Sequence, residues 1–378
     1  MPGVSLHDSS PARQIVSPST PVEFELARIW QQILGIKIES VRDNFFDLGG
    51  HSLLAVRMFA QIEKVFSVRL PLATLYESPT IEDIARILNR EVISPGWSSI
   101  VSIQPSGSRP PFFCFHGAGG NVLIYRKLAQ YLGSDQPFYG LQAQGLDGQT
   151  PPLKTIEEMA ALYVKEIRGI QPSGPYLLGG YCLGGTVAYE VAQQLRAAGE
   201  EVALLALLDT VNWHKVRLTS WTKGFLRIQR LIFHAAVLLR MDSESMGKFL
   251  QGKLHDLRNR IPVWWGILLR WLRERPGERL SGSLVLAEIW QANDRASRNY
   301  VPRPYPGEVT DFRPATQYPL LEKPDLKWDH LARGGQRIVV VPGYPGSMLL
   351  EPYVKDLASR LATCIDGAIK TRNADRGE

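Results

Sequence analysis

The stretch PYLLGGYCLGGTVAYEVAQQLRA, Pro175 to Ala197, carries the reading of the fold. Pro175 to Gly179 is a short apolar, strand-like run. Gly185 to Ala197 has helical character, and Gly180-Tyr181-Cys182-Leu183-Gly184 joins the two. A glycine on each side, two residues from a central nucleophile, is the spacing of a nucleophile elbow, the strained strand-to-helix turn of an open α/β sheet. The glycines remove Cβ atoms that would clash in so tight a bend. A buried cysteine packed between strand and helix is the commoner role for this residue type. Spacing and context favour the reactive one: at a helix N-terminus the partial positive charge favours thiolate and depresses the thiol pKa from its free value of about 8.5.

The rest of the chain has the composition of an ordinary globular protein, with 378 residues, 44% hydrophobic and 21% charged. That length allows two or three domains. The polar, proline-broken start MPGVSLHDSSPARQ has no secretory pattern, and no apolar run approaches the roughly 20 residues of a membrane helix. Three cysteines, Cys114, Cys182 and Cys364, are too few and scattered for a disulfide framework, and the odd count suits a reducing compartment. A soluble, cytoplasmic protein is expected. The net charge of +6 arises mainly between Lys215 and Arg279, where basic and aromatic residues recur at helical spacing. Amphipathic helices with solvated basic faces account for this better than a negatively charged partner does, and nucleic acid is the weakest reading.

At the N-terminal side, Thr20-Pro21-Val22-Glu23 is a capping box with proline at the first helical position. Val22, Leu26, Ile29, Trp30, Ile33 and Leu34 then keep one helical face. A second helix is expected from Ser52, burying Leu53, Leu54, Val56 and Met58, followed by short helices around Leu72 to Tyr76 and from Thr80 to Leu88. Together these make a small four-helix bundle. Ile93 to Pro111 reads as a linker with a short strand at Ser99 to Ile103. Beyond it, apolar runs at Phe112 to Phe115, Phe138 to Leu141, Tyr176 to Leu178, Leu204 to Leu208 and Ile338 to Val341 alternate with helical stretches. That alternation predicts a mainly parallel sheet covered by helices on both faces. Residues from about Trp213 to Tyr300 look helical without a strand and are placed as an inserted lid.

Asp47-Leu48-Gly49-Gly50-His51-Ser52-Leu53 puts a hydroxyl at the start of a helix, after two glycines. Free N–H groups and the helix dipole there suit either a phosphodiester on Ser52 or an ordinary serine N-cap, and spacing alone does not separate them. The run DNFFDLGGHSLL resembles the core of peptidyl and acyl carrier domains, over about Thr20 to Asn89. That resemblance implies 4′-phosphopantetheine carried covalently on Ser52 and no catalytic part for His51. It also implies a phosphopantetheinyl transferase and an acyl or peptidyl thioester substrate as partners.

Phe113 to Gly120 ends a strand in a glycine-rich loop, so the backbone N–H groups of Ala118 and Leu183 can together face an oxyanion. A phosphate-binding turn of dinucleotide type is the weaker reading there because the loop lacks the Gly-x-Gly-x-x-Gly spacing. His116 reads as a loop-positioning residue. Asp209, at the end of the next strand, is either a turn residue or the acid of a triad in the order nucleophile, acid, base. From about Pro111 to Ile369 the chain resembles the type I thioesterases that end nonribosomal peptide and polyketide assembly lines, α/β-hydrolases with a helical lid.

The fold class expected is therefore a four-helix carrier bundle followed by an α/β-hydrolase domain with an inserted helical lid. Residues 1–18 form a polar leader and 19–92 the carrier. Residues 93–110 are the linker and first strand, 111–370 the thioesterase with its lid at about 213–300, and 371–378 a polar tail. No adenylation or condensation region is read in these residues, so loading by upstream synthetase modules or separate enzymes in trans is expected. No metal ligand set is expected.

One departure matters. The family's base is a histidine in a segment similar to Val-Pro-Gly-x-His, whereas this sequence reads Val341-Pro342-Gly343-Tyr344-Pro345-Gly346-Ser347, with Glu351-Pro352 following. Pro345 stands at the histidine position, and proline has no proton acceptor in its side chain. Losing a triad member costs about 10⁴-fold in rate, but a thiol suffers less than a hydroxyl because part of it is already ionised. The sequence thus supports a Cys182 acyl-enzyme that releases its chain by hydrolysis, cyclisation or transfer to an amine. Its rival is a non-catalytic carrier and docking module with a degenerate hydrolase half. A free-standing esterase, which leaves Ser52 unused, ranks third.

Overall fold

The computed structural model describes residues 15–66, 68, 70–72, 74–89, 98–148, 150–214, 282–317 and 328–376. The leader up to residue 14 and most of the expected lid, 215–281, lie outside the described residues. The chain divides into two compact units, Met1–Pro95 and Gly96–Glu378.

In the first unit, α1 (Pro21–Leu34) begins as the sequence predicts. The Thr20 side chain accepts from the Glu23 N–H at 3.2 Å, and the Glu23 carboxylate accepts from the Thr20 N–H at 3.0 Å. Gly35, at φ 72°, closes the helix in the left-handed region. α2 (Ser52–Phe66) buries Leu54, Ala55, Met58, Phe59 and Ile62, residues three and four apart on one face. The side chains of Ser52 and Leu53 lie outside the described set. α3 (Thr74–Glu77) is a single turn, and α4 (Ile81–Asn89) buries Ile81, Ile84 and Ala85. α1 packs against both α2 and α4. Trp30, fully buried, meets Phe45 edge to face with ring centroids 5.2 Å apart.

The second unit is built on a seven-stranded sheet in the order β1-β3-β2-β4-β5-β6-β7. Its strands are β1 (Ile100–Gln104), β2 (Phe112–Phe115), β3 (Phe138–Leu141), β4 (Tyr176–Tyr181), β5 (Val202–Leu208), β6 (Val309–Pro314) and β7 (Gln336–Val341). Only β1 runs antiparallel to its neighbour; every other pair is parallel. The crossovers include α5 (Arg126–Leu132), α6 (Ile156–Ile170) and α7 (Leu183–Ala197). α8 (Gly282–Asn299) precedes β6, and α9 (Tyr353–Arg376) ends the described chain. α6 packs on α7 and α5 on α9. Phe113 and Phe115 join the buried cluster that includes α6 and α7 residues, while the alternating Phe112 and Cys114 are equally buried. Burial on both faces is why these strands read as continuous apolar runs.

β6 is not evident as an apolar run because Asp311 and Arg313 interrupt it. In the structure the two charges satisfy each other: Arg313 donates to the buried Asp311 carboxylate at 2.7 Å through Nε, and Gln336 on β7 adds a further bond at 3.1 Å. β4 is also longer than its apolar core, since Gly179 and Gly180 stay in the strand. At the C-terminus, the polar residues through Arg376 continue α9. No described helix is long and apolar enough to cross a membrane.

The capping box at α1 yields a direct test. Thr20→Ala removes one side-chain acceptor and should cost about 1 kcal/mol. Amide exchange across Pro21–Leu34 in the full chain should then quicken by about fivefold. An unchanged exchange rate would mean that packing of Trp30 alone fixes the helix start.

Candidate active site

Cys182 occupies a sharp bend between β4 and α7, at φ 56° and ψ −116°. A non-glycine residue in this region stores about 1–3 kcal/mol of backbone strain. Surrounding bonds hold it there: Cys182 N–H donates to the Leu208 carbonyl at 2.9 Å, and Gly185 N–H donates to the Cys182 carbonyl at 3.2 Å. The flanking glycines are steric necessities. A Cβ on Gly180 would overlap the Gly184 carbonyl, one on Gly184 would overlap the Phe115 carbonyl, and one on Gly185 would overlap the Thr210 hydroxyl. The Cys182 side chain is half-buried, whereas Cys114 and Cys364 are buried; none of the three is in a disulfide.

Leu183 is the first residue of α7, so its N–H has no acceptor within the helix. Ala118 lies in the turn after β2, closed by a bond from Gly120 N–H to the Gly117 carbonyl at 3.0 Å. That turn runs beside the elbow, since a Cβ on Gly117 would stand 3.6 Å from the Tyr181 carbonyl. From above, the buried Asn293 of α8 donates to the Ala118 carbonyl at 3.0 Å. Asn293 is a contributor that sequence reasoning missed, because an asparagine among helical residues carries no local signal.

His116 is fully buried with both ring nitrogens engaged, Nδ1 donating to the Gly117 carbonyl and Nε2 facing the Tyr163 hydroxyl, each at 2.8 Å. Burial pushes its pKa down to about 4, so it is neutral at physiological pH. It braces the loop and has no free nitrogen for a base.

Asp209 follows β5 at φ 45°. Its Oδ2 accepts the Gly346 N–H at 3.0 Å. Burial raises the Asp209 pKa above the usual carboxylate value, outweighing hydrogen bonds from Gly346 and Gln317, and the nearby charge of Asp311 pushes it further up. An aspartate paired with a protonated histidine shifts the other way. The turn that contains Pro345 is closed by Ser347, which is fully buried, donates through Oγ to the Tyr344 carbonyl at 2.7 Å and accepts the Tyr344 N–H at 2.9 Å. The segment therefore reaches Asp209 through a backbone amide beside Pro345.

In the first unit, Ser52 is the first residue of α2, after a loop tied down by bonds from Leu48 N–H to Asn44, Gly49 N–H to Phe46 and Gly50 N–H to Phe45. A Cβ on Gly50 would strike the Phe45 ring, so the loop presses its backbone against the bundle core. No group of three or more metal-ligating side chains occurs among the described residues.

Residues 25–88 match the family model for a phosphopantetheine attachment site, and residues 110–224 match that for a thioesterase domain. A dimodular nonribosomal peptide synthase of Bacillus subtilis is 41% identical over 268 residues, 66% of this chain and 11% of that protein. The indigoidine synthase of Dickeya dadantii is 43% identical over 196 residues, 52% of this chain and 13% of that protein. A chondramide synthase of Chondromyces crocatus is 30% identical over 365 residues, 93% of this chain and 9% of that protein. The chain thus spans only a small part of the curated relatives it matches. Among solved structures, a four-domain nonribosomal peptide synthetase matches with TM-score 0.55 and 26% identity, covering 94% of this chain and 27% of that one. The NocB thioesterase domain matches with TM-score 0.50 and 22% identity, over 70% of this chain and 99% of its own, a likeness of fold.

The electrostatics of Asp209 can be checked without substrate. With its folded pKa raised, ionising Asp209 costs the folded state stability as pH climbs from the unfolded value of about 3.9 through the folded one. Asp209→Asn keeps an acceptor for Gly346. It should therefore gain stability over the unaltered chain as pH rises through that window and show no gain near pH 3, measured by urea unfolding. A gain that shrinks with rising pH would mean that a cation faces the carboxylate.

Proposed function

We propose that this chain, a phosphopantetheine carrier domain followed by a thioesterase domain of α/β-hydrolase type, takes an acyl or peptidyl chain onto Cys182 and passes it preferentially to an amine. The observation that carries this reading is a cysteine in a strained elbow whose accompanying aspartate meets a backbone amide beside Pro345.

On the carrier side, Ser52 is read as the attachment residue. Its place at the head of a 15-residue helix, behind a loop whose Gly50 admits no Cβ, fits a group linked through a serine oxygen. When bound, 4′-phosphopantetheine supplies a thiol that holds the chain as a thioester. Loading is expected from upstream synthetase modules or adenylation and condensation enzymes in trans.

In the hydrolase half, the Cys182 sulfur attacks the thioester carbonyl carbon. The N–H groups of Leu183 and Ala118 receive the charge that develops on oxygen. The old carbon–sulfur bond then breaks, and the proton displaced from Cys182 leaves with the departing thiol. One thioester replaces another, so the exchange is nearly isoenergetic.

Magnitudes decide which steps survive with Pro345 where the resembling family has its histidine. Ionising a thiol of pKa about 8.5 at pH 7 costs about 2 kcal/mol, against about 12 kcal/mol for a hydroxyl near the pKa of water. Cysteine acylates unaided where serine does not. Water faces the larger cost at release. An amine with a pKa of about 8 needs only about 1 kcal/mol to become an unprotonated nucleophile. Its surplus proton passes to the Cys182 thiolate as the acyl–sulfur bond breaks.

Release from the acylated carrier should quicken severalfold when a primary amine is added at neutral pH. Pro345→His should speed hydrolysis by roughly 10²-fold if the ring reaches Asp209 and Cys182. Brisk hydrolysis by the unaltered protein would overturn the proposal.

Proline at position 345 also supports a second reading, a loaded carrier and a hydrolase half that does not turn over. Labelling with an acyl-thioester analogue separates the two, because only a live elbow acylates Cys182. The attachment site has its own check. Mass spectrometry after treatment with a phosphopantetheinyl transferase should find the modification in the unaltered chain and none in Ser52→Ala. A modified Ser52→Ala would refute that assignment.

A further inference from the structure

β2 and β4 run as paired neighbours as far as Phe115 and Gly180, and there the two chains part. His116 leads into the loop that holds Ala118, while Tyr181 leads into Cys182. Beyond the last pair, the Phe115 carbonyl and the Tyr181 N–H lie outside the ladder. Both would be costly to leave unpaired in the interior.

The hydroxyl of Tyr125 stands between them. It donates to the Phe115 carbonyl at 2.5 Å and accepts the Tyr181 N–H at 3.0 Å. Its ring is fully buried and packs near Phe138, with centroids 6.1 Å apart, and the Cys114 thiol is a further neighbour of the hydroxyl. Burial lifts its pKa well above the usual phenol value, so the donor proton is retained. A direct backbone bond of about 2.9 Å would keep the strands in register. A phenol bridge of two bonds joins them at a wider separation. It therefore fixes the opening between the chains without closing it. The same Phe115 carbonyl is the surface against which Gly184 rests without room for a Cβ.

We propose that Tyr125 is a positioning residue for the oxyanion-binding pair, setting the spacing between the N–H of Ala118, three residues past Phe115, and that of Leu183, two past Tyr181. This rests on the reading of Cys182 as nucleophile. In this role the phenol acts through the two strand ends it joins.

Tyr125→Phe in the full chain removes one oxygen and preserves the ring. Two reagents then divide the effect. Acylation of Cys182 by a small acyl thioester passes through an oxyanion, whereas alkylation by iodoacetamide displaces iodide and forms none. Acylation should fall roughly 10- to 100-fold, the scale of a slight misplacement of a catalytic group, while alkylation stays within about twofold. Equal acylation, or an equal fall in both reactions, would overturn the assignment.

Should the variant not fold, a ring-fluorinated tyrosine at 125, of nearly the same shape but a weaker acceptor, should give a smaller loss confined to acylation. If the unaltered chain does not acylate at all, the reading of Cys182 fails separately. Amide exchange then decides the matter for Tyr125. Tyr181 and Leu183 should exchange faster in Tyr125→Phe, and unaltered exchange at both overturns the proposal.

Discussion

The close approach of three backbones at the head of α7 governs this hydrolase half. Gly180, Gly184 and Gly185 bring strand and helix together with no side chain between them, so Cys182 is driven to φ 56°. Each Cβ that is missing brings an adjoining carbonyl or hydroxyl into place: Phe115 beneath Gly184, Thr210 beside Gly185. Because Phe115 ends β2 and Thr210 follows β5, the bend is gripped by both strands that flank β4. Strain at one residue is thus sustained by contacts spread over three strands.

Much of this was legible in the sequence because it rests on short-range necessity. A glycine that cannot carry a Cβ and a capping box of Thr20 and Glu23 leave signals within a few residues. Apolar runs buried on both faces do so as well. What escaped was non-local. β6 hides behind Asp311 and Arg313, whose charges are acceptable only because they meet each other and Gln336 from the next strand. Asn293 and Tyr125 read as an ordinary polar and an ordinary aromatic residue until the fold brings them, from 175 residues away and from 10, to the Ala118 and Phe115 carbonyls. The lid expected at about 213–300 lies mostly outside the described residues, and within that range α8 is a described helix.

The carrier unit depends on a different economy. Its core is small, and aromatic contacts supply much of the burial that a short bundle can muster, with Trp30 against Phe45 and Phe45 against Phe46. Phe45 serves twice. Its ring fills the space under Gly50, and its carbonyl accepts the Gly50 N–H, so the loop leading to Ser52 is fastened to the same residue that anchors α1. Under the proposed reading of Ser52 as the attachment residue, such fastening means that the loop need not be ordered when a modifying enzyme binds.

The turn around Pro345 meets Asp209 through its backbone. Gly343 at φ 115° and Gly346 at φ 89° set its course, Ser347 closes it with two hydrogen bonds, and the Gly346 amide delivers it to Asp209. A peptide N–H donates but does not exchange a proton usefully near neutral pH, so through this bond the Asp209 carboxylate orients a loop. Burial then raises the Asp209 pKa, where a protonated histidine beside it would lower it. Serine at position 182 would be stranded in such surroundings. Sulfur is not, because its ionisation costs several-fold less free energy than that of a hydroxyl. Cysteine in the elbow and proline in the turn are therefore chemically compatible under the proposed reading, in which the thiol takes a chain and a nucleophile with its own lone pair receives it.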